Sequence, residues 1–143
     1  MADTKKVVDE VVAAFNAHDE QRFRSLYADD AVFEAPGDVR FDNADAITGY
    51  AMAWLNAFPD ARLTVHNEVV SGEWAVHQFT FEGTHEETLS GPGGDIPATH
   101  KRLKGRGVDV YRVASGKVVE DYLYYDQVQV LTQLGLMPEL ATA

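Results

Sequence analysis

The chain has 143 residues, 45% of them hydrophobic and 24% charged, which fits one folded domain over residues 1–143 and not a disordered tail or a pair of cores. Its 23 acidic residues against 12 basic ones give a net charge of −11, so nucleic acid and anionic membrane surfaces are excluded as expected partners. There is no cysteine, which rules out disulfides, thiolate metal sites and cysteine nucleophiles.

The first segment, TKKVVDEVVAAFNAHD, sets Val7, Val8, Val11, Val12 and Phe15 at helical spacing. Asp19 is placed to cap a second helix, EQRFRSLYADD, with Phe23, Leu26 and Tyr27 as its apolar stripe. AVFEAPG reads as a short strand closed by Pro36 and Gly37. Residues 43–58 carry Ile47, Tyr50, Ala51, Trp54, Leu55 and Phe58 on one face, a third helix that Pro59 and Asp60 stop. The period then changes to two. ARLTVHNEVVSG, EWAVHQFTFEGTH, HKRLKGRGVDVYRV and KVVEDYLYY alternate as antiparallel strands, and the Gly/Pro-rich residues 90–98 form a loop able to act as a flap. The basic run Lys101, Arg102, Lys104 and Arg106 is read as a solvated strand edge. Asp126 and Gln129 stand as a capping box for a last short helix ended by Gly135 and Pro138, so Asp126 is a cap and not a catalyst.

Helices followed by a meander describe an α+β domain whose curved antiparallel sheet buries one face against the helices. In EWAVHQFTFEGTH the alternation puts His77, Phe79, Phe81 and His85 on the covered face. An imidazole there is either a hydrogen-bonded core residue or a proton-transfer group. GRGVDVYRV contains an aspartate where a half-buried pleat disfavours one. A three-residue turn, Ala114-Ser115-Gly116, pairs Val113 with Lys117 and sets Asp109 opposite Asp121, with Gly105, Gly107, Tyr111, Val119, Leu123 and Tyr125 on the same face. Two carboxylates facing an apolar surface raise at least one pKa and can share a proton. The rival two-residue turn, Ser115-Gly116, puts Asp109 opposite Tyr122 and separates the carboxylates by face.

The order FNAHD, LYADDAVFEAPG, AWLNAFPD, FEGTH, GVDVYRVASGKVVEDYLYYDQ and LTQLGLMP resembles the SnoaL-like polyketide cyclases and the related ketosteroid isomerases over about residues 5 to 138. The resemblance implies a cystatin-like, nuclear-transport-factor-2-like barrel: a cone-shaped curved sheet covered on its concave face by N-terminal helices. It also implies a homodimer through the outer sheet face, here Val108, Val110, Tyr122 and Tyr124. Asp109 falls where the isomerases place a protonated aspartic acid that donates to an oxyanion, and where the cyclases place a histidine. Ala35 stands at the isomerase base position, a valine near Val11 at the isomerase tyrosine position, and Leu123 at the position of the cyclase aspartate. Asp121, two residues before Leu123 and on the same face, is the substitute for proton transfer.

The expectation is a cytoplasmic, cofactor-free and metal-free cyclase, isomerase or lyase acting on an apolar carbonyl compound. Asp121 or His85 removes a proton and neutral Asp109 holds the enolate oxygen. Phe15, Phe33, Tyr50, Trp54, Phe58, His77, Phe79, Tyr111, Leu123 and Tyr125 bind the substrate. Two alternatives stand beside it. One is a non-catalytic ligand-binding or dimerisation module in which His85, His77 or Arg106 holds the aspartates; the other is epoxide hydrolysis, which needs an arginine between two aspartates.

Overall fold

The computed structural model describes residues 2–137, so the helix-ending role expected of Pro138 lies outside the described residues. Helix α1 (Ala2–Asn16) buries Val7, Val8, Val11 and Ala14 along the stripe their spacing creates. Both of its ends are pinned to the same strand hairpin. Thr4 Oγ1 donates to the Gly72 carbonyl at 2.8 Å, and the Asn16 amide exchanges bonds of 2.9 and 2.8 Å with the Leu63 backbone. Helix α2 (Glu20–Ser25) is capped by Asp19, whose carboxylate accepts from Arg22 N at 3.1 Å. It stops five residues short of the expected end. From Tyr27 the chain is already strand β1 (Tyr27–Ala35), because Tyr27, Ala31 and Phe33 are buried against the sheet's inner face.

Strand β2 (Val39–Phe41) pairs with β1, and helix α3 (Ala44–Ala57) follows, capped by Asn43. Strands β3 (Arg62–Ser71) and β4 (Trp74–Thr84) form the first long hairpin. The expected loop over 90–98 contains a small hairpin, β5 (Leu89–Gly91) with β6 (Gly94–Ile96), separate from the main sheet. Strands β7 (Arg102–Ala114) and β8 (Lys117–Tyr125) lead to helix α4 (Gln127–Gln133), whose N-cap is Asp126, as expected. The six-stranded sheet runs β2-β1-β8-β7-β4-β3; every neighbouring pair is antiparallel except β1 with β8, which is parallel.

The last hairpin departs from the expected register. Ser115 and Gly116 have φ of 53° and 75°, the paired positive values of a two-residue type I′ turn, so Ala114 pairs with Lys117 and Val113 with Val118. Beyond them the register slips by one at Val119, and Arg112 pairs with Glu120. This β-bulge turns Val118, not Val119, to the core. It also returns Asp121 to the face that Asp109 occupies. Asp109 lies opposite Leu123 and Asp121 opposite Tyr111, so the carboxylates are diagonal neighbours and not a direct pair.

Candidate active site

Helices α1 and α3 stand off the sheet's inner face around a cavity of about 870 Å³, its open mouth included. The wall is nearly all apolar, with Val11, Val12 and Phe15 from α1, Ile47, Tyr50 and Trp54 from α3, and Phe79 and Phe81 from β4 among its residues. Phe15, Trp54 and Phe81 meet edge to face at 6.2 and 5.8 Å, which fixes the ring orientations. Gly107 lets one of these rings approach the backbone: a Cβ there would stand 2.6 Å from Phe79 Cζ.

The polar groups converge on the β1–β8–β7 wall. Asp121 is 3% exposed, and the Tyr27 hydroxyl donates to its Oδ2 at 2.7 Å. Asp109 is enclosed by protein yet keeps part of its surface open to the cavity. Its carboxyl lies beside the Asp121 carboxyl and the Tyr111 hydroxyl. Burial, and then the charge of Asp121, push the Asp109 pKa well above the ordinary carboxylate value. Burial also raises Asp121, opposed by the bonds from Asp109 and Tyr27. Asp121 Oδ1 has no partner if both carboxyls are ionised. A proton on Asp109 supplies that partner and removes the like-charge contact in one step.

Of the residues expected from sequence, the structure brings Asp109, Asp121, Phe15, Phe33, Tyr50, Trp54, Phe79, Tyr111, Leu123 and Tyr125 to the cavity wall. His85, Phe58 and His77 are not part of that wall. His85 is fully buried, stacks on Phe58 at 5.0 Å, and accepts at Nδ1 from the Thr99 backbone N–H at 3.2 Å. Burial lowers its pKa, so it is a neutral core imidazole away from the carboxyl pair. His77 is buried behind the wall, with Nε2 2.6 Å from Glu68 Oε2. Arg112 is held on the outer face by Glu120 and Glu73. Glu34, beside Ala35, also faces outward, 2.5 Å from Arg40.

Tyr27 is the functional group that sequence reading missed. Its partner is 94 residues away, and the expected helix through Asp30 hid its inward direction. Among the described residues one set could hold a metal ion, Asp9, Glu68 and His77, but the Lys5 ammonium already sits 2.7 Å from Asp9 and 2.8 Å from Glu68.

The chain is similar to several solved structures. AclR from Streptomyces galilaeus, provisionally described as a hydroxylase, is 27% identical with a TM-score of 0.80 over 99% of this chain and 90% of that one. IdmH from Streptomyces antibioticus, provisionally described as a polyketide cyclase, is 27% identical with a TM-score of 0.76 over 92% and 98%. A SnoaL-like protein from Jannaschia sp. CCS1, 17% identical with a TM-score of 0.83 over 96% and 94%, shares the fold. Comparison with curated proteins gives no match. The SnoaL-like polyketide cyclase family matches residues 5–134, nearly the whole described chain. With that match, and with the fold it shares with IdmH, the chain belongs to the SnoaL-like polyketide cyclase family.

Proposed function

We propose that this protein is a small-molecule enzyme of the cyclase type that moves protons on an apolar carbonyl compound through an enol or enolate. The observation that carries the reading is the Asp109–Asp121 contact at the wall of an otherwise apolar cavity, with one Asp121 oxygen left unpartnered unless Asp109 is protonated. The substrate's carbonyl oxygen lies against Asp109, the carboxyl open to the cavity. The charged oxygen of the pair takes the proton from the carbon alpha to that carbonyl, while the proton already on the pair bonds to the developing enolate oxygen. The pair begins and ends with one proton, and the substrate leaves as its enol, the nucleophile of a ring closure. A preorganised donor of this kind is worth roughly 10²–10³ in rate. Aromatic walls exclude water, which strengthens the interaction with developing charge.

The family match and the 27% identity to a provisionally assigned cyclase support this reading over a purely binding role. The same reading takes the protein as a homodimer through the outer sheet face, where Tyr124 is 60% exposed. The test is exchange of the alpha protons of 2-tetralone in D₂O, followed by proton NMR. The protein should accelerate exchange over buffer, and Asp109→Asn should lose at least about 100-fold of that acceleration. Exchange at the buffer rate with the wild-type protein, although 2-tetralone binds, would leave the cavity a binding site without acid/base chemistry.

A further inference from the structure

The cavity wall carries a second group of polar side chains, apart from the carboxyl pair. Tyr50 and Trp54 lie one turn apart on α3, and Tyr125 ends β8; all three line the cavity. Trp54 and Tyr125 meet edge to face at 6.0 Å, while the Tyr50 ring packs against Phe33 and Phe41 at 5.2 and 5.8 Å. These contacts hold the Tyr50 hydroxyl beside the Trp54 indole and the Tyr125 hydroxyl. Burial pushes both tyrosine pKa values up, so both hydroxyls keep their protons near neutral pH. In the β7–β8 ladder Tyr125 pairs with Gly107 and Leu123 with Asp109. Tyr125 therefore stands two residues, roughly 7 Å, along the sheet from the row that holds Asp109.

Two hydroxyls and one indole N–H have three protons to donate and only two oxygens to accept them, because an indole nitrogen accepts none. Two hydroxyls cannot donate to each other at once. At most two of the three protons are therefore used within the group, and one is always left over. Tyr27 and Tyr111, the other hydroxyls of the wall, each have a carboxyl beside them. For Tyr50 and Tyr125 the neighbours are each other and the indole, and Asp109 acts on Tyr50 through its charge alone. In an empty cavity the spare proton goes to water. A ligand that fills the cavity either replaces that water with an oxygen of its own or leaves a donor unpaired.

We infer that Tyr50, Trp54 and Tyr125 form a second subsite that binds an uncharged oxygen of the substrate, on a part of it remote from the carbonyl held by Asp109. The inference rests on the reading of the cavity as the site of an apolar carbonyl compound, and narrows that compound to one with two oxygens set about the width of a fused bicycle apart. A surplus donor selects an acceptor, so an alkyl group at this position is penalised and an ammonium finds no counterpart. An anion is disfavoured by the apolar surroundings and by the negative charge of the carboxyl pair. The three side chains touch the substrate away from its reacting carbon, so they determine which compounds bind and move no proton.

The experiment compares the calorimetric affinities of trans-decalin-2,6-dione, whose two carbonyls are equivalent by symmetry, and trans-2-decalone, which lacks the second oxygen. The preference for the dione is measured in the wild-type protein and in the double variant Tyr50→Phe/Tyr125→Phe, which keeps both rings. That preference should fall at least about threefold in the variant, with 2-decalone binding it no more weakly than wild type. A preference that changes by less overturns the second subsite. Where the variant does not fold, the wild-type protein labelled at tyrosine ¹³Cζ gives the answer: the dione should shift the Tyr50 resonance further than 2-decalone does, and equal shifts overturn the inference. Failure of the wild-type protein to bind either ligand overturns it together with the apolar-ligand reading of the cavity. Exchange of 2-tetralone, which has a single oxygen, reports on the carboxyl pair alone, so failure of the acid/base chemistry is told apart from failure of the second subsite.

Discussion

Tyr27 decides how the two carboxyls divide their single proton. Its hydroxyl donates to Asp121 Oδ2 at 2.7 Å and so favours the charge on Asp121, leaving Asp109 as the protonated partner open to the cavity. Tyr27→Phe removes that bond between two buried groups. The Asp121 pKa, already raised by burial, should rise further, because the bond that lowered it is lost. Unfolding free energy near neutral pH should fall by about 1–3 kcal/mol, measured by urea denaturation. A Tyr27→Phe protein with unchanged stability and an unchanged carboxyl titration would show that the hydroxyl does not hold the pair. Glu68 shows the opposite balance. Burial would raise it, but bonds from Asp9, Lys5 and His77 outweigh burial and bring it down to about 2. Glu68 is therefore expected to stay ionised near neutral pH.

At the scale of elements, the bulge in β8 is what creates the site. A two-residue turn with an unbroken ladder would send Asp109 and Asp121 to opposite faces. The extra residue at Val119 shifts the count by one and restores them to the same side. Deleting Val119 should therefore turn Asp121 out of the cavity or force the turn to rearrange. The expected outcome is a loss of roughly 3–5 kcal/mol as the buried polar group loses its partners, read from thermal unfolding, together with loss of the high-pKa carboxyl. Retention of both stability and titration would mean that the bulge is not needed to place the pair.

The sequence made the shared face of Asp109 and Asp121 legible, but for an incomplete reason: alternation in β7 and β8 is plain, whereas turn length and bulge are two compensating shifts with no local signature. Apolar periodicity placed α1, α3 and the long strands, and Asp19 and Asp126 as caps fixed the starts of α2 and α4. Tyr27 was hidden because β1 begins where helix spacing still continues. His85 and Phe58 were misjudged as cavity groups because periodicity gives a face of the strand or helix and not the depth along it: the two stack on each other outside the cavity wall.

On the whole molecule, the helices cover one side of the sheet and leave the other exposed. That outer face carries Val108, Val110, Tyr122 and Tyr124, with Glu120 drawn to Arg112 and Tyr122 at its side. No helix of the described residues is long and apolar enough to cross a membrane. If the outer face joins two copies, as proposed above, Tyr124→Glu should shift the sedimentation coefficient from dimer to monomer while the cavity still binds 2-tetralone. A wild-type protein that sediments as a monomer at micromolar concentration would contradict the dimer.

The central claim is a shared proton between two buried acids, and carbon-detected NMR titration of the aspartate carboxyls addresses it most directly. Asp109 should remain protonated well beyond the normal aspartate range, with Asp121 responding to the same transition; both carboxyls ionising within the normal aspartate range, independently of each other, would contradict it.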